Sequence, residues 1–233
     1  FSTSLKSRGS DTIRARREVR NMNTNESGFA DLEQEKINLA KPFRSLAIIF
    51  IVAGAIGWFA SAALLIERFQ TLKNPSQAPS CDISPFVSCG ALFDLWQASL
   101  LGFPNAILGV AGFVAPVIIG VGIFAGAKFK SWFWRIAVVG LGTAWVFVTW
   151  LFTQSVYSIG VLCPYCLVVW LATIPMWWTV LIVTIVQGSW GARLRDRISS
   201  WGMSYLPVFV IINYGVIALL IMQELGSRIA SSL

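Results

Sequence analysis

Five long apolar runs, 45–66, 105–127, 136–152, 163–186 and 205–222, carry no Asp, Glu, Lys or Arg in their middles, and they leave this chain few ways to fold. A helix rises about 1.5 Å per residue, so runs of this length can cross a hydrocarbon core of roughly 30 Å. The chain reads as an all-α integral membrane protein with five transmembrane helices. Composition agrees, with 56% of residues hydrophobic and 12% charged, where a soluble domain typically has about 25% charged. Within the first run, Ala60-Ser61-Ala62 resembles a signal cleavage site. Signal cores are about 7 to 15 residues long, and this run is longer, so it is read as a retained span.

The polar segments set the topology. Residues 1–44 carry nine Lys or Arg against six acids with little hydrophobic periodicity, which predicts a disordered basic tail. The loops after the second and fourth spans add Lys128, Lys130 and Arg135, then Arg193, Arg195 and Arg197. The opposite side holds only Arg68, Lys73 and Arg228. Such a bias places the tail in the cytoplasm. It also accounts for the net charge of +7 without a nucleic-acid partner, because the basic residues sit between apolar runs. The organisation is then a cytoplasmic tail 1–44, a membrane unit 45–190 with an outer loop 67–104, and a segment 191–233 with a basic cytoplasmic loop, the fifth span and a short outer tail. The second span is rich in glycine (Gly109, Gly112, Gly120, Gly122, Gly126), and small residues let helices approach closely in lipid. In the outer loop, Leu92, Phe93, Leu95, Trp96 and Leu100 recur at spacings that suit a short amphipathic surface helix.

All four cysteines fall on the outer side of this topology, where disulfides form and persist. Cys163-Pro164-Tyr165-Cys166 opens the fourth span. A pair spaced i, i+3 at a helix start puts both sulfurs on one face, in a positive field that favours thiolate, the reactive form in disulfide exchange. Cys81 and Cys89 supply a second pair in the loop. Two pairs on one membrane face suggest a relay through mixed disulfides, ending on a lipid-soluble acceptor such as a quinone. The chain has no histidine, which removes imidazole metal sites, His-ligated haem and His-paired nucleophiles. A Cys-only metal carrier using the four cysteines is an alternative, though the Cys81 to Cys89 gap is wider than the spacing usual in zinc sites. A plain scaffold protein with packed cysteines and a structural loop disulfide is the other.

Cys81-Asp82-Ile83-Ser84-Pro85-Phe86-Val87-Ser88-Cys89-Gly90, then Gly102-Phe103-Pro104-Asn105, then the Cys163 to Cys166 pair resemble, in that order, the vitamin K epoxide reductase family, nearest its bacterial branch. The resemblance covers roughly 45–190. It implies a four-helix bundle around a quinone, capped by the loop and its surface helix, with the fifth span additional. It also implies roles: Cys166 reacts with the quinone, Cys163 bridges to the loop, Cys89 attacks that bridge, and Cys81 meets the partner protein. Asn105 would hydrogen-bond a quinone oxygen, with Phe93 and Trp96 near the pocket. Trp170 stands where animal members have a tyrosine that bonds the substrate, and an indole can also donate there. Asp94 falls near a position where many members carry Ser or Thr. No thioredoxin-like domain follows the fifth span, so the expected partner is a separate thioredoxin-fold (DsbA-like) protein. The implied acceptor is a menaquinone- or ubiquinone-type quinone, with no metal, in the plasma (inner) membrane of a bacterium. The implied activity is disulfide bond formation outside the cytoplasm, with reduction of vitamin K epoxide as the alternative within the family.

Overall fold

The computed structural model describes residues 43–198 and 201–232. The basic tail expected over 1–44 lies outside them except for its last two residues. The chain divides into a unit ending at Phe43 and one from Arg44 to Leu233, and the second carries everything below.

Helix α1 runs Phe43–Lys73. The loop that follows contains α2 (Gly90–Phe93) and a 3-10 turn (Trp96–Ser99). Then come α3 (Asn105–Phe124), α4 (Ser131–Thr153) continued by a wider π-helical stretch (Gln154–Ile159), α5 (Pro164–Val186), α6 (Ala192–Ile198) and α7 (Gly202–Ser232). Five helices are long and apolar enough to cross a membrane, as the charge-free runs require.

Three departures from the sequence expectation concern the ends and connections of the spans. At about 1.5 Å per residue, the 31-residue α1 outruns the hydrocarbon core, and its last turns form a stalk beyond the expected end at 66. The stalk holds the loop. Glu67 accepts the N–H of Ser80 at 3.2 Å and its hydroxyl as well. Arg68 pairs with Asp94 at 2.9 Å and lies over the Phe93 ring, 5.2 Å from its centroid. The surface helix is present but broken, because Asp94 is committed to Arg68 and Leu95 has extended backbone (φ −79°, ψ 143°) that sends it into the cavity wall. The basic loop after α5 contains the short helix α6, which no hydrophobic period announces.

The spans pack by two means. Helices α1 and α3 approach through glycine: a β-carbon on Gly120 would lie 2.9 Å from the Ala47 carbonyl oxygen. Helices α4 and α5 meet through rings, with Trp145 stacked on Trp177 at 4.6 Å and Phe152 on Trp170 at 4.0 Å. Helix α7 packs on α5 from outside, stacking Phe209 on Trp178 at 5.2 Å and donating the Tyr214 hydroxyl to the Leu171 carbonyl at 2.6 Å. None of its described residues lines the cavity, whose described wall comes from α1, α3, α4 with its π-helical end, α5 and the loop.

Candidate active site

The loop brings Cys89 to Cys163 by backbone pairing. After Cys81 the chain makes a tight hairpin in which Ile83 and Ser84 donate to the Val87 carbonyl at 2.9 and 3.1 Å. Its return arm lies parallel to the residues before α5: Leu162 N–H donates to Phe86 at 2.9 Å, and Ser88 N–H donates to Leu162 at 3.1 Å. The next residue on each strand is a cysteine. The two sulfurs, Cys89 Sγ and Cys163 Sγ, lie 3.5 Å apart. Cys89 is joined to Cys81 in a disulfide, and Cys163 and Cys166 are free thiols.

Asp82 fixes the loop side of this contact. One carboxylate oxygen accepts the Ser88 hydroxyl at 2.7 Å and the N–H groups of Cys89 and Gly90 at 2.8 and 3.0 Å. These are the orphan donors at the head of α2. Gly90 is required beside it, since a β-carbon there would sit 2.7 Å from the other carboxylate oxygen. Burial pushes the Asp82 carboxyl up, and the hydrogen bonds from Gly90, Ser88 and Cys89 outweigh it, leaving the group below its ordinary value. Asp82→Ala is therefore expected to slow exchange between the two cysteine pairs about tenfold, read by rapid alkylation, with helicity retained. The pH dependence follows from the depressed folded value. The contribution is complete above about pH 4 and fades as pH falls from there through the lower folded pKa. In the native protein the loop disulfide should resist a phosphine reductant at pH 5 and open to it only below about pH 4; equal reduction at both would remove Asp82 from this role.

On the helix side, Cys163 is the N-cap of α5, and its sulfur accepts the Cys166 N–H at 3.4 Å. Pro164 takes the first helical position, where a missing N–H costs nothing. Cys81, Cys89, Cys163 and Phe93 form one buried cluster. Cys166, one turn on, is exposed instead and lines an apolar cavity of about 1100 Å³. The relay thus has a closed end at the loop and an open end at the chamber.

The other expected residues fall unevenly. Phe93 lines the cavity and is buried against the sulfurs. Asn105 lines it too, but both ends of its amide hold the 3-10 turn: Nδ2 donates to the Gln97 carbonyl at 2.6 Å, and Oδ1 accepts the Leu100 N–H at 3.3 Å. One Nδ2 hydrogen remains for a ligand. Trp170 lines the wall with its ring, while its indole N–H is directed to Thr149 Oγ1 at 3.5 Å on α4. Trp96 is not in the wall. It is 64% exposed, 6.0 Å from Trp150, and Gln97 takes the inward place, because the 3-10 turn points consecutive residues differently from the continuous helix expected. Gln97, Ser155 and Asp82 were not marked by the sequence reading. Among the described residues, no group of three or more His, Cys, Asp or Glu could hold a metal ion.

A disulfide within reach of a second cysteine pair, beside a large apolar chamber in a bundle of membrane-length helices, is the arrangement of a membrane thiol oxidoreductase. The model of the Vitamin K epoxide reductase family matches residues 48–181, which is more than half of the chain and runs from α1 into α5. The chain belongs to that family. No curated protein matches it. Membership makes it a membrane oxidoreductase whose redox chemistry is of the quinone or vitamin K type.

Proposed function

We propose that this protein oxidises a separate thioredoxin-fold protein on the outer side of a bacterial plasma membrane and passes the electrons to a quinone, sustaining disulfide formation outside the cytoplasm. The observation that carries the reading is the 3.5 Å approach of Cys89 to Cys163, with Cys166 opening onto the apolar cavity. The outer location rests on the distribution of Lys and Arg.

A quinone fits the chamber as built. The walls are overwhelmingly apolar, and the polar exceptions include the spare Asn105 hydrogen, a donor for a quinone carbonyl, and the Gln97 side-chain oxygen, which is buried without a partner and would accept only from the hydroxyl of the reduced form. When bound, a quinone accepts two electrons and two protons. The cysteines supply both. Cys81 is buried in the state seen here rather than exposed to a partner, so the loop must open before a partner thiolate attacks Cys81 and Cys89 leaves. The partner's second thiol resolves the mixed disulfide, so the partner is oxidised and the loop pair reduced. Cys89 then attacks Cys163 of a Cys163–Cys166 disulfide, and Cys166 leaves as thiolate. Cys81 attacks Cys89 in turn and releases Cys163. The loop disulfide is restored and the helix pair now carries the electrons, the covalent state seen here. Joining Cys163 to Cys166 releases two electrons and two protons into the chamber, with no charged residue in any span required as a proton path.

The test is quinone reduction by the purified protein with a reduced thioredoxin-fold partner, with vitamin K epoxide offered in a separate arm. Absence of quinone turnover would overturn the reading, and turnover of epoxide alone would replace it with the other family activity. Asn105→Ala both removes a donor and frees the 3-10 turn. Its quinone turnover should fall about tenfold, while thiol exchange among the four cysteines continues. Unchanged kinetics would take Asn105 out of the site.

A further inference from the structure

The carbonyl of Ser155 accepts two N–H groups, from Gly160 at 2.8 Å and from Val161 at 3.3 Å. The first is the i to i+5 bond of a π-helix, and Gly160 then leaves the helix with left-handed backbone at φ +76°. The hydroxyl of the same residue donates to the Val161 carbonyl. Ser155 therefore satisfies both backbone groups of Val161 alone. The next residue, Leu162, has its N–H and its carbonyl both taken by the loop, at Phe86 and Ser88. The one after that is Cys163, 3.5 Å from Cys89. Three consecutive residues thus hand the position of α4 across to the reacting sulfurs, and each has its polar backbone committed in a different direction.

An ordinary α-helical end would not do this. Val161 and Leu162 are the whole link between the π stretch with its terminal Gly160 and the N-cap of α5, and they have no regular element of their own beyond the single bridge to Val87. Without the hydroxyl, the half-buried Val161 carbonyl loses its donor, and the peptide that carries Leu162 is free to rock against the loop. A sulfur-sulfur contact is sensitive to such movement, because exchange needs the attacking atom held in line and close. Ser155 also lines the cavity, but its hydroxyl is turned to Val161.

We propose that Ser155 is a positioning residue for the transfer between Cys89 and Cys163, and that the π-helical end of α4 is the device that sets their separation. The proposal rests on the thiol relay described above, yet its test can be made without a quinone. In protein carrying Cys81→Ala and Cys166→Ala, only Cys89 and Cys163 remain to pair, and equilibration against glutathione buffers gives the effective concentration of one for the other. Adding Ser155→Ala should lower it about tenfold, the weight of one hydrogen bond. Ser155→Thr keeps the hydroxyl and should stay within about twofold. In protein with all four cysteines, Ser155→Ala should lower kcat for quinone reduction and leave the quinone KM within about twofold.

An unchanged effective concentration in Ser155→Ala overturns the proposal, and so does an equal loss in the Ala and Thr variants. A rise in KM matching the fall in kcat/KM, with effective concentration intact, would make Ser155 a ligand contact instead and overturn it too. If the native protein fails to reduce quinone while the glutathione measurement moves as expected, the functional reading falls and the positioning role stands. Helicity and thermal midpoint, compared across the variants, identify a loss due to unfolding, and the Thr variant then carries the decision.

Discussion

Cys163→Ala should reduce quinone turnover at least about a thousandfold, because no other sulfur is placed to take its part. Cys163 carries the sulfur that joins the two pairs. Its sulfur is 3.5 Å from Cys89 and accepts the Cys166 N–H at 3.4 Å. Thiol exchange proceeds only by direct attack of one sulfur on another, and a well-held neighbour is worth effective molarities of about 10⁵ to 10⁸ M in favourable intramolecular reactions. Losing even a small part of that advantage accounts for the expected drop. The half-reactions should separate cleanly. The loop disulfide of the variant should still oxidise one equivalent of reduced partner and then stop, since its electrons have no onward path. The substitution removes one small apolar side chain from the Cys81, Cys89, Phe93 cluster, so the fold should survive it. Continued turnover beyond one equivalent would disprove the relay.

The parts of this molecule that lipid dictates were legible in the sequence. A charge-free run of membrane length has little choice but to span, so the five helices, their order and the grouping of the cysteine pairs at one end could be read directly. Helix ends were not legible in the same way. Hydropathy falls at Glu67, but a helix leaving the bilayer needs no apolar residue to continue, and the stalk of α1 exists because Glu67 and Arg68 find partners in the loop. The approach of Cys89 to Cys163 was hidden for a different reason. It depends on two backbone bonds between 86–88 and Leu162, and a pairing of this length leaves no alternation to detect. Asp82 and Ser155 look like loop and interface polar residues until the turns that bring them to Cys89 and Val161 are known. The expectation for Trp96 came from resemblance, and the break at Asp94 and Leu95 sends that ring outward beside Trp150.

Cys166→Ala should stop turnover as completely as Cys163→Ala but leave a different covalent species behind. With Cys166 gone, Cys163 cannot form the disulfide that feeds the chamber, so electrons arriving from the loop have no exit. Cys163 still faces Cys89 at 3.5 Å. Its thiolate can attack Cys89, displace Cys81 and form a Cys89–Cys163 bond, and Cys81 can reverse the step. No net oxidation occurs, so the two forms stay in equilibrium until something removes one of the thiols. Alkylation of the freed Cys81 should draw the protein over. Mass spectrometry of peptides should then find Cys89 linked to Cys163 and the alkyl group on Cys81. The same treatment of Cys163→Ala should return only the original Cys81–Cys89 link. The contrast assigns the inner sulfur roles separately, with Cys163 toward the loop and Cys166 toward the cavity, where exposure already divides them. Should alkylation leave the Cys81–Cys89 link as the sole species in Cys166→Ala, the 3.5 Å approach would not be a reactive one, and the order of the relay would have to be redrawn.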